Sequence, residues 1–287
     1  MLKKLRAYYQ TLKPERTYAN VITTGAGFLL ASRWQVHWWL LLAIVIGTTL
    51  VVLSACAANN CTDRGVDAKM PRTKKRALVT GFLPIRNVAF LAIVLGIAGF
   101  VVLITSVNWL TVLIGAIAYV DYVVLYAWSK RHTIYSTLIG TISGAAPLVA
   151  GYTAVTGRFD ATAVLLGILM ICWQMPHFYA IGIFRHEDYR AAGLPVWPVR
   201  RSLRNTQYWI LLYTAGFTAS CIGLAVMGAI GAIGAVTLSL LGMYWLAIGF
   251  KGFRMPDSKK WARSMFGLSL VIVLVVSVIL PLATVLP

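Results

Sequence analysis

Apolar residues along this 287-residue chain come in long runs separated by short polar interruptions. Nine runs approach the roughly 20 residues that a helix needs to cross the hydrocarbon of a bilayer. They lie at 18–33, 38–58, 84–104, 109–128, 133–152, 161–183, 206–228, 231–250 and 265–284. None shows the two-residue alternation of a membrane β-barrel strand. The expected fold is therefore an all-α membrane protein, with nine transmembrane helices in one bundle and a single domain over 1–287. Residues 1–17 precede the first run, are basic and lack a cleavable signal pattern; they read as an interfacial segment on the inner leaflet. Four interruptions are brief: SRWQVH, TSVNW, TAVTGRFD and a glycine-rich turn at 228–234. Two are long, 59–83 and 184–205, and chemistry is expected on the side that carries them. Each follows an even-numbered run, which hints at a duplicated four-helix unit.

Charge turns this pattern into an orientation. The net charge is +18, with 26 lysines and arginines against eight acidic residues. All the basic residues except Arg33 and Arg158 fall in clusters at 3–16, 64–86, 130–131, 185–204 and 251–263, at every second interruption. That is the positive-inside pattern, so these loops, and the N-terminus, are expected in the cytoplasm and the C-terminus outside. A bacterial inner membrane is the expected location. No soluble basic domain exists to bind nucleic acid. Cys56, Cys61, Cys172 and Cys221 have no zinc-type spacing, and disulfides are not expected. Gly25, Gly27, Gly96, Gly99, Gly140, Gly144, Gly223 and Gly228 read as places of close helix approach.

The stretch 59–76, NNCTDRGVDAKMPRTKKR, spends two of the eight acidic residues at the inner end of an apolar run. Asn59, Asp63 and Asp67 are spaced i, i+4, i+8. If the helix continues this far, they share one face over about 12 Å of rise. Two carboxylates there repel each other unless a cation lies between them. Oxygen ligands without thiolate or imidazole suit Mg²⁺, which keeps much of its shell for water and phosphate oxygens. Arg72, Lys74, Lys75 and Arg76 follow, and arginine grips phosphate oxygens in a bidentate fork. Carboxylates, metal and guanidinium together describe a diphosphate site. Lys74 and Lys75 serve equally well as positive-inside anchors, and salt bridges to Arg64 and Lys69 are an alternative account of the two aspartates.

A second polar stretch, 173–201, reads WQMPHFYAIGIFRHEDYRAAGLPVWPVRR. Gln174, His177, Arg185 and Asp188 are its polar groups at or near membrane depth. At helical pitch His177 and Asp188 return to nearly one face, which would bring Asp188 toward the cavity of Asp63 and Asp67. Pro176 is expected to loosen this helix where it lines a cavity. His177 is open to iron or porphyrin contact, to proton handling, or to a buried hydrogen-bonded role, and periodicity favours the last. Asp121, within AYVDYVVLYAW, is most simply explained by a hydrogen bond to Tyr119, Tyr122 or Tyr126.

The first stretch resembles the NxxxDxxxD…RTxxR signature of UbiA-type intramembrane prenyltransferases. The second, with LKPERTYAN at 12–20 and SKRHTIYSTLIGTISGAAPLVAGY at 129–152, is similar to the haem-modifying branch of that superfamily. The resemblance covers almost the whole chain. It implies metal and diphosphate ligands at Asn59, Asp63 and Asp67, and phosphate-binding arginines at Arg72 and Arg76. It implies further substrate contacts at Lys13, Lys130 and Arg131, with Gln174, His177 and Arg185 in the haem-branch stretch. Many superfamily members carry DxxxD as a second motif; here Phe184 takes its first position and only Asp188 remains as a second-motif ligand and catalytic residue.

The implied reaction moves a farnesyl group from farnesyl diphosphate to the 2-vinyl group of haem B, with Mg²⁺ as cofactor, giving haem O and diphosphate. Haem A synthase or terminal oxidase assembly would then be partners. Trp128, Tyr126, Trp173 and Phe178 are candidate rings around an allylic cation, and Arg200 or Arg201 candidate partners for haem propionates. Three rivals are a quinone or chlorophyll-precursor prenyltransferase, a transporter of an anionic solute and a haem-binding assembly factor. Phe184 and His177 argue against the first. Polar motifs gathered at one membrane face argue against the second, and the Asp63–Asp67 pair is unexplained by the third.

Overall fold

The computed structural model describes residues 2–285, and these are helical with short connections. A short α1 (Leu2–Thr11) leads into α2 (Pro14–Ser32), α3 (Trp38–Asp67) and α4 (Ile85–Ser106). The next helix has three parts: α5 (Trp109–Val120), a π-helical segment (Asp121–Tyr126) and α6 (Ala127–His132). Then come α7 (Ser136–Thr156), α8 (Ala161–Phe184), the short α9 (His186–Ala191) and α10 (Trp197–Arg200), and finally α11 (Leu203–Val226), α12 (Ala232–Lys251) and α13 (Ser258–Leu282).

Among the described residues, eight helices, counting Trp109–His132 as one, are long and apolar enough to cross a membrane. The first expected span, α2, is more polar, with Glu15 and Arg16 in its first turn and buried Thr17, Thr23 and Thr24, yet it packs along α7 and against α3 and α13. It begins at Pro14, four residues before the apolar run read from the sequence. Proline at the first helical position costs no hydrogen bond, which explains the boundary. The stripe residues of 59–67 likewise belong to α3 rather than to a loop, because nothing in NNCTDRGVD breaks a helix until after Asp67.

Polar residues fix several helix starts. Asn108, Asp160, Ser202 and Asp257 each accept a hydrogen bond from a backbone N–H three residues on, at 2.9–3.2 Å. Outward faces are apolar, as on α4 at Phe90, Ile93, Ile97, Val101 and Ile104. Exposed Trp38, Trp39 and Trp109 stand at helix starts, where amphipathic rings meet headgroups. Close approach depends on glycine where α2 crosses α7. A Cβ on Gly27 would lie 2.0 Å from the Leu148 carbonyl oxygen, and one on Gly151 2.0 Å from that of Thr24. Gly25, by contrast, has open space beside it, and Gly228 occupies a positive-φ turn.

The two long connections meet. Met70, Ala192 and Leu194 form a small buried cluster with Val66, Tyr189 and Val196 against it. A second cluster, of Leu78, Leu83, Val88, Ala57 and Ala92, seats α1 through Ala7. All four cysteines are free.

Candidate active site

Asn59, Asp63 and Asp67 lie on one buried stripe at the C-terminal end of α3. Carboxylates at that end oppose the helix dipole as well as each other, so they need cations. Lys130 pairs with Asp63 Oδ2, and Arg131 Nη2 stands 3.9 Å from Asp63 Oδ1. Arg76 Nη1 donates to Asp67 Oδ2 at 2.6 Å, while Thr73 Oγ1 donates to the Asp67 carbonyl at 2.8 Å, folding the RTKKR run back over the helix end. Lys13 Nζ donates to Asn59 Oδ1 at 3.1 Å. Burial first, and then the charge of Arg16, bring the Lys13 ammonium down to about 7.

The facing helix supplies a matching stripe. Tyr122, Tyr126 and Lys130 also follow i, i+4, i+8; Tyr122 Oη donates to Asn59 Oδ1 at 3.4 Å. Tyr122 and Tyr126 are stacked, centroids 5.7 Å apart and planes 9° from parallel, and Lys130 Nζ lies 5.5 Å from the Tyr126 centroid. Tyr126 fits because Gly140 has no side chain; a Cβ there would lie 2.6 Å from its ring. The π-helical turn at 121–126 sets this register, and such turns recur at functional sites. Asp121 begins it. Its Oδ2 accepts from the Ser143 backbone N–H at 3.1 Å, so the tyrosine partner expected from sequence is replaced by the neighbouring helix α7.

A cavity of about 520 Å³ opens beside the stripe, within the size range of ligand sites. Arg16 and Tyr122 line its polar end and are hydrogen-bonded at 3.0 Å. Trp173, His177, Phe178 and Phe266 also line it. Gln174 lines it too, donating to the carbonyls of Thr141 and Met170 at 3.1 Å each. Gly144 makes room for that amide. Trp128 does not line the cavity; it is exposed and stacks on His132, because α6 turns that face outward.

In the second loop, α8 remains helical through Pro176 but stops at Phe184, and α9 starts a new helix. Helical periodicity therefore does not carry from His177 to Asp188. Asp188 Oδ2 instead faces Arg185 Nη1 at 3.4 Å. Among the described residues no three His, Cys, Asp or Glu side chains converge on one point. Arg72 is exposed and in no ion pair among them. Arg200 is exposed too, and Arg201 lies 5.5 Å from the Trp197 ring centroid.

Whether the stripe fits a hard cation is decided by its spare atoms. Asp63 Oδ1 is buried with no hydrogen-bond donor, and so is Asn59 Nδ2 without an acceptor. A carboxylate oxygen shut from water and without a donor is a ready ligand for Mg²⁺. The sequence reading missed Arg16 and Tyr122 as cavity residues. Arg16 was visible in LKPERTYAN; Tyr122 takes its place only from contacts between distant helices.

Fold and family define an intramembrane group-transfer protein, with a candidate anion site near an apolar cavity. The UbiA prenyltransferase family profile matches residues 20–271, and the chain belongs to that family. Protoheme IX farnesyltransferase 2 of Shewanella sp. (strain MR-4) is 42% identical over 97% of this chain and 91% of its own length. Protoheme IX farnesyltransferase 1 of Shewanella frigidimarina (strain NCIMB 400) is 44% identical over 98% and 94%. A UbiA homologue from Archaeoglobus fulgidus, solved with GPP and Mg²⁺, superposes with a TM-score of 0.71 at 13% identity, covering 96% of this chain and 99% of that one.

Proposed function

We propose that this protein transfers the farnesyl group of farnesyl diphosphate to the 2-vinyl group of haem B, giving haem O. The reading rests on one juxtaposition: a buried Asn59–Asp63–Asp67 stripe surrounded by Lys13, Arg76, Lys130 and Arg131, directly beside a cavity lined by aromatic rings. Relatives at 42% and 44% identity bear the corresponding name.

Mg²⁺, when bound by Asp63 and Asp67 with Asn59, would supply Lewis-acid neutralisation of the diphosphate. Lys130 and Arg131 take the diphosphate oxygens that gain charge as the C1–O bond breaks, with Arg72 and Arg76 from the adjoining loop. Lys13 holds the same anion from the N-terminal side. Tyr122 and Tyr126 present ring faces between the diphosphate and the cavity, where the allylic carbon becomes positive. The vinyl terminal carbon bonds to C1, and the adjacent carbon takes up a water oxygen. One of the water's two protons stays in the new hydroxyl, and the other leaves to the diphosphate or to bulk solvent. Trp173, Phe178 and Phe266 keep the cavity dry until that step. Asp188, on α9, is the second-motif carboxylate that would join a second metal when substrate draws it from Arg185. Arg185, Gln174 and His177 border the porphyrin end.

The protein would act in a bacterial inner membrane with this site toward the cytoplasm, and its product would pass to haem A synthase or an assembling terminal oxidase. The test is mass spectrometry on lipid-reconstituted protein given haem B, farnesyl diphosphate and Mg²⁺, beside Asp63→Asn. Farnesylated, hydroxylated haem from the wild type alone is expected. Product from a quinone precursor but not from haem B would overturn the haem assignment.

A further inference from the structure

His177 makes one hydrogen bond, Nδ1 to Ser269 Oγ at 2.7 Å across the α8–α13 contact. The direction of that bond is fixed by Ser269. Its hydroxyl also lies 2.5 Å from the Phe266 carbonyl, which can only accept. A serine hydroxyl has a single proton, and it is spent on Phe266. The Ser269 oxygen must therefore accept from His177, which places the imidazole proton on Nδ1. Nε2 is left with its lone pair. Among the described residues Nε2 has no hydrogen-bond partner, and it is not among the polar atoms sealed from solvent. His177 lines the cavity, so that lone pair opens into it. The ring is clamped as well: Trp173 stacks at 5.3 Å, Phe266 lies at 4.9 Å and Phe178 meets it edge-on at 5.1 Å. Ser269 steadies Trp173 too, whose Nε1 donates to the Ser269 carbonyl at 2.8 Å.

A neutral imidazole with one nitrogen donating to a fixed acceptor and the other bare toward a cavity is the arrangement of a histidine metal ligand and its outer-shell partner. The aromatic wall around it suits a flat macrocycle, and proximal histidine is a common ligand of haem iron. We infer that His177 ligates the iron of the bound porphyrin through Nε2, and that Ser269 is the positioning residue that holds this tautomer. The inference deepens the haem reading and rests on it. It assigns the porphyrin's centre to the α8–α13 side of the cavity.

The test is optical and electron paramagnetic resonance spectroscopy of the full-length protein in nanodiscs with haem B and no prenyl substrate. Wild type is expected to give the signature of imidazole-ligated iron. His177→Phe keeps an aromatic ring in the clamp and should lose that signature. His177→Gly should lose it and recover it with added imidazole. Ser269→Ala, which frees the tautomer, should weaken haem binding about tenfold, the loss of roughly one hydrogen bond, and Ser269→Thr should restore it. Metal-free protoporphyrin IX should bind wild type and His177→Phe alike. A wild-type spectrum and haem affinity retained in His177→Phe would overturn the proposal, as would an unchanged affinity in Ser269→Ala. Farnesyl transfer on the same samples separates the two readings. Turnover of haem B with no histidine signature sinks only the iron ligand; histidine-ligated haem that is never farnesylated sinks the reaction.

Discussion

The residues of the candidate anion site are tied to one another by ion pairs and hydrogen bonds, and their perturbations follow from that. Asp63 and Lys130 are both nearly buried, so neither is free to be removed alone. Lys130→Met leaves a carboxylate uncompensated in a low-dielectric setting, a loss of about 3–5 kcal/mol by analogy with broken buried pairs. Thermal unfolding in detergent should show a large drop for Lys130→Met and a much smaller one for Lys130→Met combined with Asp63→Asn. In the assay of turnover, Asp63→Asn alone should lose about 10²–10³-fold, the scale of removing one electrostatic stabiliser of a developing charge. Lys13 sets a pH dependence. Its ammonium is depressed to about 7 in the free protein, and diphosphate favours the charged form. Affinity for a prenyl diphosphate should therefore be level below pH 7 and fall as pH rises above it, with proton uptake on binding. Lys13→Arg, charged throughout, should flatten the profile; a slope that survives in it would assign the effect elsewhere.

At the scale of elements, the site is a matter of register between two helices. The stripes 59/63/67 and 122/126/130 advance in the same direction along α3 and the helix facing it, and the π-helical turn adjusts one to the other. Removing one residue from 121–126 should restore plain α-helix and rotate Lys130 by about 100° relative to α5. Turnover should vanish while helical circular dichroism stays. The α2–α7 crossing tolerates less: Gly151→Val has no room against the Thr24 carbonyl, and a fall in detergent-extracted folded yield is the expected result. These features differ in how visible they were in sequence. The α3 stripe was legible because acidic residues are scarce here and their four-residue spacing has one meaning on a helix. The Asp121–Ser143 contact, the π turn and the His177–Ser269 bond were not. In lipid the outward and inward faces of a spanning helix are both largely apolar, so periodicity does not tell which face meets which neighbour, and a polar residue's partner across 22 or 92 positions stays hidden. The break between α8 and α9 was hidden for a related reason, since FRHED carries no proline or glycine to announce it.

For the molecule as a whole, the distribution of basic residues predicts that reporters fused at the connections 68–84 and 185–202 lie inside and one fused after residue 285 lies outside. Activity of a periplasm-dependent reporter at the last position alone would bear out that orientation. The resting ion pairs also have a meaning for the bilayer around them. On the proposed function, Lys130 and Arg76 would act as counter-ions already fixed to a resin, and loading the site would be ion exchange: a metal held by Asp63 and Asp67 would take their place, leaving them for the diphosphate. Metal alone would strand two cations, and diphosphate alone would leave two carboxylates bare, so each should bind poorly without the other. The two dissociation constants should fall together and by the same factor, which would let the protein open an intramembrane cavity to its substrate without offering it to stray ions.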